Sequence, residues 1–252
     1  MILERGSRKH VLDWTGSPNF LREFESLLAP LPVRFQPDTI FMPRGYTDPM
    51  EARLERFGPS VMPGHAVWEQ LQNWWLAHRR SANTPNWDIA ATCEIEGKAG
   101  LVLVEAKANW PELGAAGKRL DKASSPKGIE NHERIGAAID EACKAWQRIN
   151  PHVNISRDSH YQLANRLAFT WKLGSLGIPV ILVYLGFTGD EGIRDAGAPF
   201  TDDANWRKAI IEYADGVVPV ELFEIRHDVG AAPVWLALRS RVILESSPPK
   251  KK

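Results

Sequence analysis

The chain is poor in the residues that announce a function by themselves. It holds two cysteines, Cys93 and Cys143, in 252 residues. Their spacing suggests no zinc site, and a reduced cytoplasmic setting is the expectation. No apolar run approaches the length of a membrane span, and the first ten residues lack the apolar centre of a signal peptide, so a soluble protein without a membrane partner is expected. Lys plus Arg and Asp plus Glu stand at 31 each. With no net charge there is no global field drawing the protein to nucleic acid, and any such binding must come from a local patch. Internal repeats are absent.

Proline is plentiful early, at 30, 32, 37, 43, 49, 59 and 63. Repeated loss of amide donors blocks helices, so residues 1–63 read as an irregular arm packed on the core. Within it stand a short helix over Phe20–Leu28 and at most another over Pro49–Phe57. A helix over His65–Arg80 follows, with Val67, Leu71, Trp74, Trp75 and His78 on one face. Further helices are expected over Gly128–Asn150, ended by Pro151, and over His160–Leu173. Pro179–Phe187 is nearly all apolar and suits a central strand covered on both faces. Thr201, Asp202 and Asp203 open a helix through Tyr213, where acids suit the helix dipole better than a metal. Val217–Ile225 and Val234–Leu238 read as strands that extend the sheet, and residues 246–252 as a disordered tail.

The most informative stretch runs from Asp88 to Lys107. Ile89, Ala91, Cys93 and Ile95 alternate with Asp88, Thr92, Glu94 and Glu96, the period of a strand. After a turn, Leu101–Ala106 is an apolar strand that ends on Glu105 and Lys107. These two share the face of Leu101 and Leu103. A turn at Gly97-Lys98-Ala99-Gly100 pairs Glu96 with Leu101 and sets Asp88 opposite Asn109, about 13 Å along the strand from Glu105. In that register the strands must twist or bulge for Asp88 and Glu105 to meet.

An Asp opening one strand, a hairpin, and an apolar strand ending Glu-x-Lys resembles the PD-(D/E)xK nuclease superfamily. The residues that carry the likeness are Trp87-Asp88 and Glu105-Ala106-Lys107, with Trp87 where the family has Pro. Pro37-Asp38 lies too far upstream to serve. The likeness covers 64–187 and implies an α/β restriction-endonuclease-like core, a mixed central sheet flanked by helices in the order α-β-β-β-α-β, with 188–245 extending it.

The resemblance implies metal-dependent phosphodiester hydrolysis of nucleic acid, DNA ahead of RNA, and is compatible with a homodimer. Asp88, Glu105 and the Ala106 carbonyl would hold Mg2+ or Mn2+, and Lys107 would face the attacking water or the phosphate. The family often takes one more acid from the preceding helix, and Glu69 is the candidate; at 100° per residue it falls nearly opposite the Leu71 stripe, as a solvated glutamate would. Some members carry a Gln on the helix after the catalytic strand, here Gln162, with a Tyr four residues on, where this chain has Arg166. Arg166 could orient a phosphate. Lys118, Arg119 and Lys122, on the loop after the hairpin, are candidates for phosphate contact or plain solvated charges. The alternative is a non-catalytic nucleic-acid-binding or interaction protein that keeps the fold.

Overall fold

Two apolar faces of one sheet set the architecture, and the strand alternation in the sequence decides which residue goes to which. The computed structural model describes residues 5–62, 66–80, 82–120 and 124–243. The expected tail, 246–252, lies outside them. In chain order the elements are α1 (Gly6–Thr15), α2 (Phe20–Leu28), β1 (Val33–Arg34), β2 (Phe41–Met42), β3 (Ala52–Arg53), α3 (Leu54–Val61) and α4 (Val67–Trp75). Then follow β4 (Asn86–Trp87), β5 (Ile89–Ile95), β6 (Lys98–Lys107), α5 (Pro126–Gln147), α6 (Tyr161–Ser175), β7 (Val180–Thr188), α7 (Asp203–Ala214), β8 (Arg226–His227) and β9 (Val234–Val242).

The main sheet is mixed, in the order β1-β5-β6-β7-β9-β8, with β2 also paired to β5. β6, β7 and β9 are parallel, while β5 and β8 run antiparallel to their neighbours. Leu101, Leu103, Val180, Leu182 and Leu236 pack under helices α3 to α7. Val102, Val104, Ile181, Val183 and Ala237 pack on the other face, under α1 and α2. Helices therefore cover both faces, as parallel strands require. Each large apolar side chain so enclosed contributes about 1.5–3 kcal/mol.

The arm before residue 64 is more ordered than its prolines suggest. The expected α2 is joined by α1, which the apolar pattern of the sequence does not show, and Val11, Trp14, Phe20 and Phe24 close one face of the sheet. Its short strands β1 and β2 extend the sheet beyond β5.

Two expectations are corrected. Val217–Ile225 holds no strand but a 3-10 turn at Val220–Leu222, after Pro219 and before Glu224 at φ 67°. The β5–β6 turn is also tighter than expected. Ile95 pairs with Lys98, leaving Glu96 and Gly97 as a two-residue turn with φ 50° and 75°. Positive φ at both central residues matches the twist of the flanking strands. The register thus moves by four residues: Thr92 lies opposite Leu101 instead of Glu105. Gly100, read as a turn residue, is in the strand, where an added Cβ would stand 2.8 Å from the Pro179 carbonyl oxygen and 2.9 Å from Ile95.

Candidate active site at the end of the β5–β6 hairpin

The corrected register carries Asp88 to the Glu105 end of β6. Ile89 pairs with Val104, so one further step sets Asp88 level with Glu105 and not with Asn109. The Asp88 amide donates to the Val104 carbonyl at 3.1 Å. Its Oδ2 accepts from the Ala106 amide at 2.7 Å. Of Ala106, then, the structure shows the amide turned to Asp88, while its side chain packs on the opposite face of the sheet.

Glu105 and Lys107 share the helix-covered face, as their spacing predicts. Their side chains meet directly, Lys107 Nζ on Glu105 Oε1. Lys107 also donates to Gln162 Oε1 at 3.0 Å. From α6, Arg166 places Nε at 2.7 Å and Nη2 at 2.5 Å from Glu105 Oε2. Gln162 and Arg166 can both reach because residues four apart lie on one side of a helix. Glu105, Lys107 and Arg166 are 2%, 6% and 7% exposed. With half-buried Asp88 ionised, two carboxylates face two cations, and the buried charges cancel.

The two carboxyls respond in opposite directions. Burial and then the Glu105 charge push Asp88 up to about 7, against Lys107, the Ala106 amide and Arg166, which pull it down. Burial alone would raise Glu105 too, but Arg166 and Lys107 hold it below the usual carboxylate range. Such a site keeps one carboxyl ready to exchange a proton near neutrality beside one held as an anion.

Sequence reasoning missed two contributors. Trp87 supplies a ring beneath the Arg166 guanidinium, 4.5 Å from its carbon to the ring centroid. A Trp next to the key Asp was visible in the sequence, but its partner 79 residues away was not. Tyr184 lies opposite Glu105 in the parallel ladder. Burial, then Tyr213 and Glu105, raise its phenol well above 10, and its hydroxyl has no hydrogen-bond partner among the described residues. Strand alternation could have placed it with Leu182, though not beside Glu105.

Other candidates stand apart from this cluster. Glu69 is an exposed residue of α4, paired with Arg79 at 3.0 Å. No group of three or more His, Cys, Asp and Glu converges among the described residues, so Glu69 does not join Asp88 and Glu105. Lys118 is half-buried, its Nζ 5.0 Å from the Tyr161 ring centroid, and burial lowers its pKa. Exposed Arg119 joins it, with His132 and Asp158, along a polar cavity of about 550 Å³. Lys122 lies outside the described residues. Asp202 accepts from the Asn205 amide as the cap of α7, the role its position predicted, and both cysteines are free and buried. Among the described residues no helix is long and apolar enough to cross a membrane.

No protein-family model matches the chain, and comparison with curated proteins and with solved structures likewise gives no match.

Proposed function

We propose that the protein is a divalent-metal-dependent nuclease of the PD-(D/E)xK kind, with Asp88, Glu105 and Lys107 as its centre and a restriction-endonuclease-like core around them. The observation that carries this reading is the meeting of Asp88 with the Glu105-x-Lys107 strand end through the Ala106 amide. The donor chemistry fits a magnesium-type ion. Asp88 and Glu105 repel each other enough to help lift Asp88 to about 7, and Asp88 Oδ1 has no hydrogen-bond partner among the described residues. A hard cation held by one or two carboxylates, with water completing its shell, relieves that repulsion.

When bound, Mg2+ or Mn2+ would lower the pKa of a water and offset charge on the phosphoryl group. The chain's own residues do the rest. Asp88 and Glu105 would hold the ion, and Lys107, steadied by Gln162, would present its ammonium to the phosphate and stabilise charge as it develops. Arg166 holds Glu105 in place from behind. DNA is the proposed substrate ahead of RNA.

Cleavage of linear, circular and single-stranded DNA with Mg2+ or Mn2+, comparing wild type with Asp88→Ala and Lys107→Ala, tests the reading. Metal-dependent cutting lost in both variants supports it. The saturation of Glu105 by Lys107 and Arg166 favours a second reading, a nucleic-acid-binding protein whose ion cluster is structural. Wild type that binds DNA without cutting it would decide for that one.

A further inference from the structure

We infer that a cavity beside β2 receives one unstacked nucleotide, so that the substrate is an unpaired strand; this rests on the nucleic-acid reading of the Asp88 site. The cavity, about 630 Å³, lies where the arm meets the core. Its place relative to the site follows from two pairings. Met42 of β2 stands opposite Ala90, two residues from Asp88, and Arg53 of β3 stands opposite Asn86, two residues before Asp88. The cavity thus flanks the Asp88 end of the hairpin.

Its lining joins two chemistries. Phe41 and Phe57, with Ile40 and Met42, supply an apolar wall, and Arg8, Arg44, Arg53 and Arg56 supply four guanidiniums. Asp48 and Glu51 offset two of those charges, leaving two in excess. Arg8 is held by the Pro49 carbonyl and lies 3.7 Å from Glu51, and Arg53 donates to Asn86 at 2.7 Å. Arg44 and Arg56 are exposed and have no carboxylate partner among the described residues. The Arg44 guanidinium already lies over the Phe41 ring, 5.6 Å from its centroid.

An inorganic anion would use the guanidiniums and leave the apolar wall idle. A nucleotide uses both, its phosphate meeting Arg44 and Arg56 and its base the aromatic wall. The volume is in the range of small-ligand sites. A base within a duplex cannot enter without leaving its stack, which disfavours paired substrate.

The test reads binding without cleavage, in EDTA, by fluorescence anisotropy of a labelled strand of about twelve nucleotides. Single-stranded DNA, single-stranded RNA of the same sequence and the blunt DNA duplex are compared. A single strand is expected to bind at least about tenfold tighter than the duplex, and the double variant Arg44→Ala/Arg56→Ala to lose roughly tenfold of that affinity. Its thermal unfolding should change little, since both side chains are exposed and only the Arg44 contact with the Phe41 ring is lost, and the tighter of the two single strands identifies the sugar. Equal binding of duplex and single strand, or an unaffected double variant, overturns the proposal. Arginine-dependent single-strand binding without Mg2+-dependent cutting would uphold the cavity and sink the catalytic reading; cutting with no preference for single strands would do the reverse.

Discussion

Asp88 Oδ2 accepts the amide of Ala106 at 2.7 Å, between the two residues whose charges it faces. The bond ties the carboxylate to the backbone of β6, so the hairpin sets its position relative to Glu105 and Lys107. Helix α6 then adds Arg166 and Gln162 from outside.

The pH dependence of stability should report on Asp88. Its carboxyl is raised from 3.8 to about 7, by burial first and by Glu105 second. A carboxyl that binds its proton more tightly folded than unfolded makes stability fall as pH rises between those two values. Asp88→Asn removes that penalty and keeps an acceptor for the Ala106 amide. Relative to wild type, the variant is expected to gain on the order of 1–3 kcal/mol between pH 4 and 8, less than the full shift implies because the group is half-buried. Urea unfolding in EDTA at three pH values checks this; a difference independent of pH would contradict it. Glu105, lowered by its cations, works in the opposite direction, and because its charge helps raise Asp88 the comparison reads the coupled pair.

Arg166→Ala should be among the costly substitutions. It leaves Glu105 buried with one cation and removes the guanidinium from the Trp87 ring. Breaking such a buried pair costs about 3–5 kcal/mol. Adding Glu105→Gln should recover part of the loss, because an unpaired buried charge is then absent. Denaturant midpoints of the two single variants and the double variant measure the coupling.

Gln162 offers a milder perturbation. It is exposed and accepts from Lys107, so Gln162→Ala should cost only about 1 kcal/mol of stability. If Lys107 acts on the phosphate, loosening its ammonium should slow cleavage by roughly threefold to tenfold. Retention of wild-type turnover, with the same stability loss, would assign Gln162 a structural role only.

Two glycines of the hairpin should separate by mechanism. Gly97 has φ 75° with open space around its Cα, so Gly97→Ala should cost about 1 kcal/mol from the backbone alone. Gly100→Ala forces a Cβ against the Pro179 carbonyl and Ile95 inside the packed sheet, and about 2–3 kcal/mol is expected. Equal costs for the two would show that both act through the turn.

The hairpin also shows where legibility ended. Alternation identified both strands and put Asp88, Glu105 and Lys107 on one face, because side-chain direction is a local property with period two. Register depends on the turn, and here Gly100 misled. A glycine kept for close approach between β6 and the chain before β7 has the same letter as a glycine kept for a turn. Helices α5, α6 and α7 were readable within a few residues from apolar spacing and caps. Helix α1 was missed, as its buried face includes His10 and Thr15, which do not register as apolar.

The sequence by itself determined the order of the main helices and strands from α4 to α7, the faces of β5 and β6, the burial of β7 on both sides, and the pairing of Glu105 with Lys107, all properties of neighbours along the chain. Only the tertiary structure decided that Asp88 stands level with Glu105. It also decided that Arg166, 61 residues from Glu105, shares its charge, and that the arm, with Asn86 of β4, encloses an arginine-lined cavity. Those outcomes depend on how distant segments pack, since burying both faces of the sheet leaves the charged strand end one set of partners, the polar edge of α6.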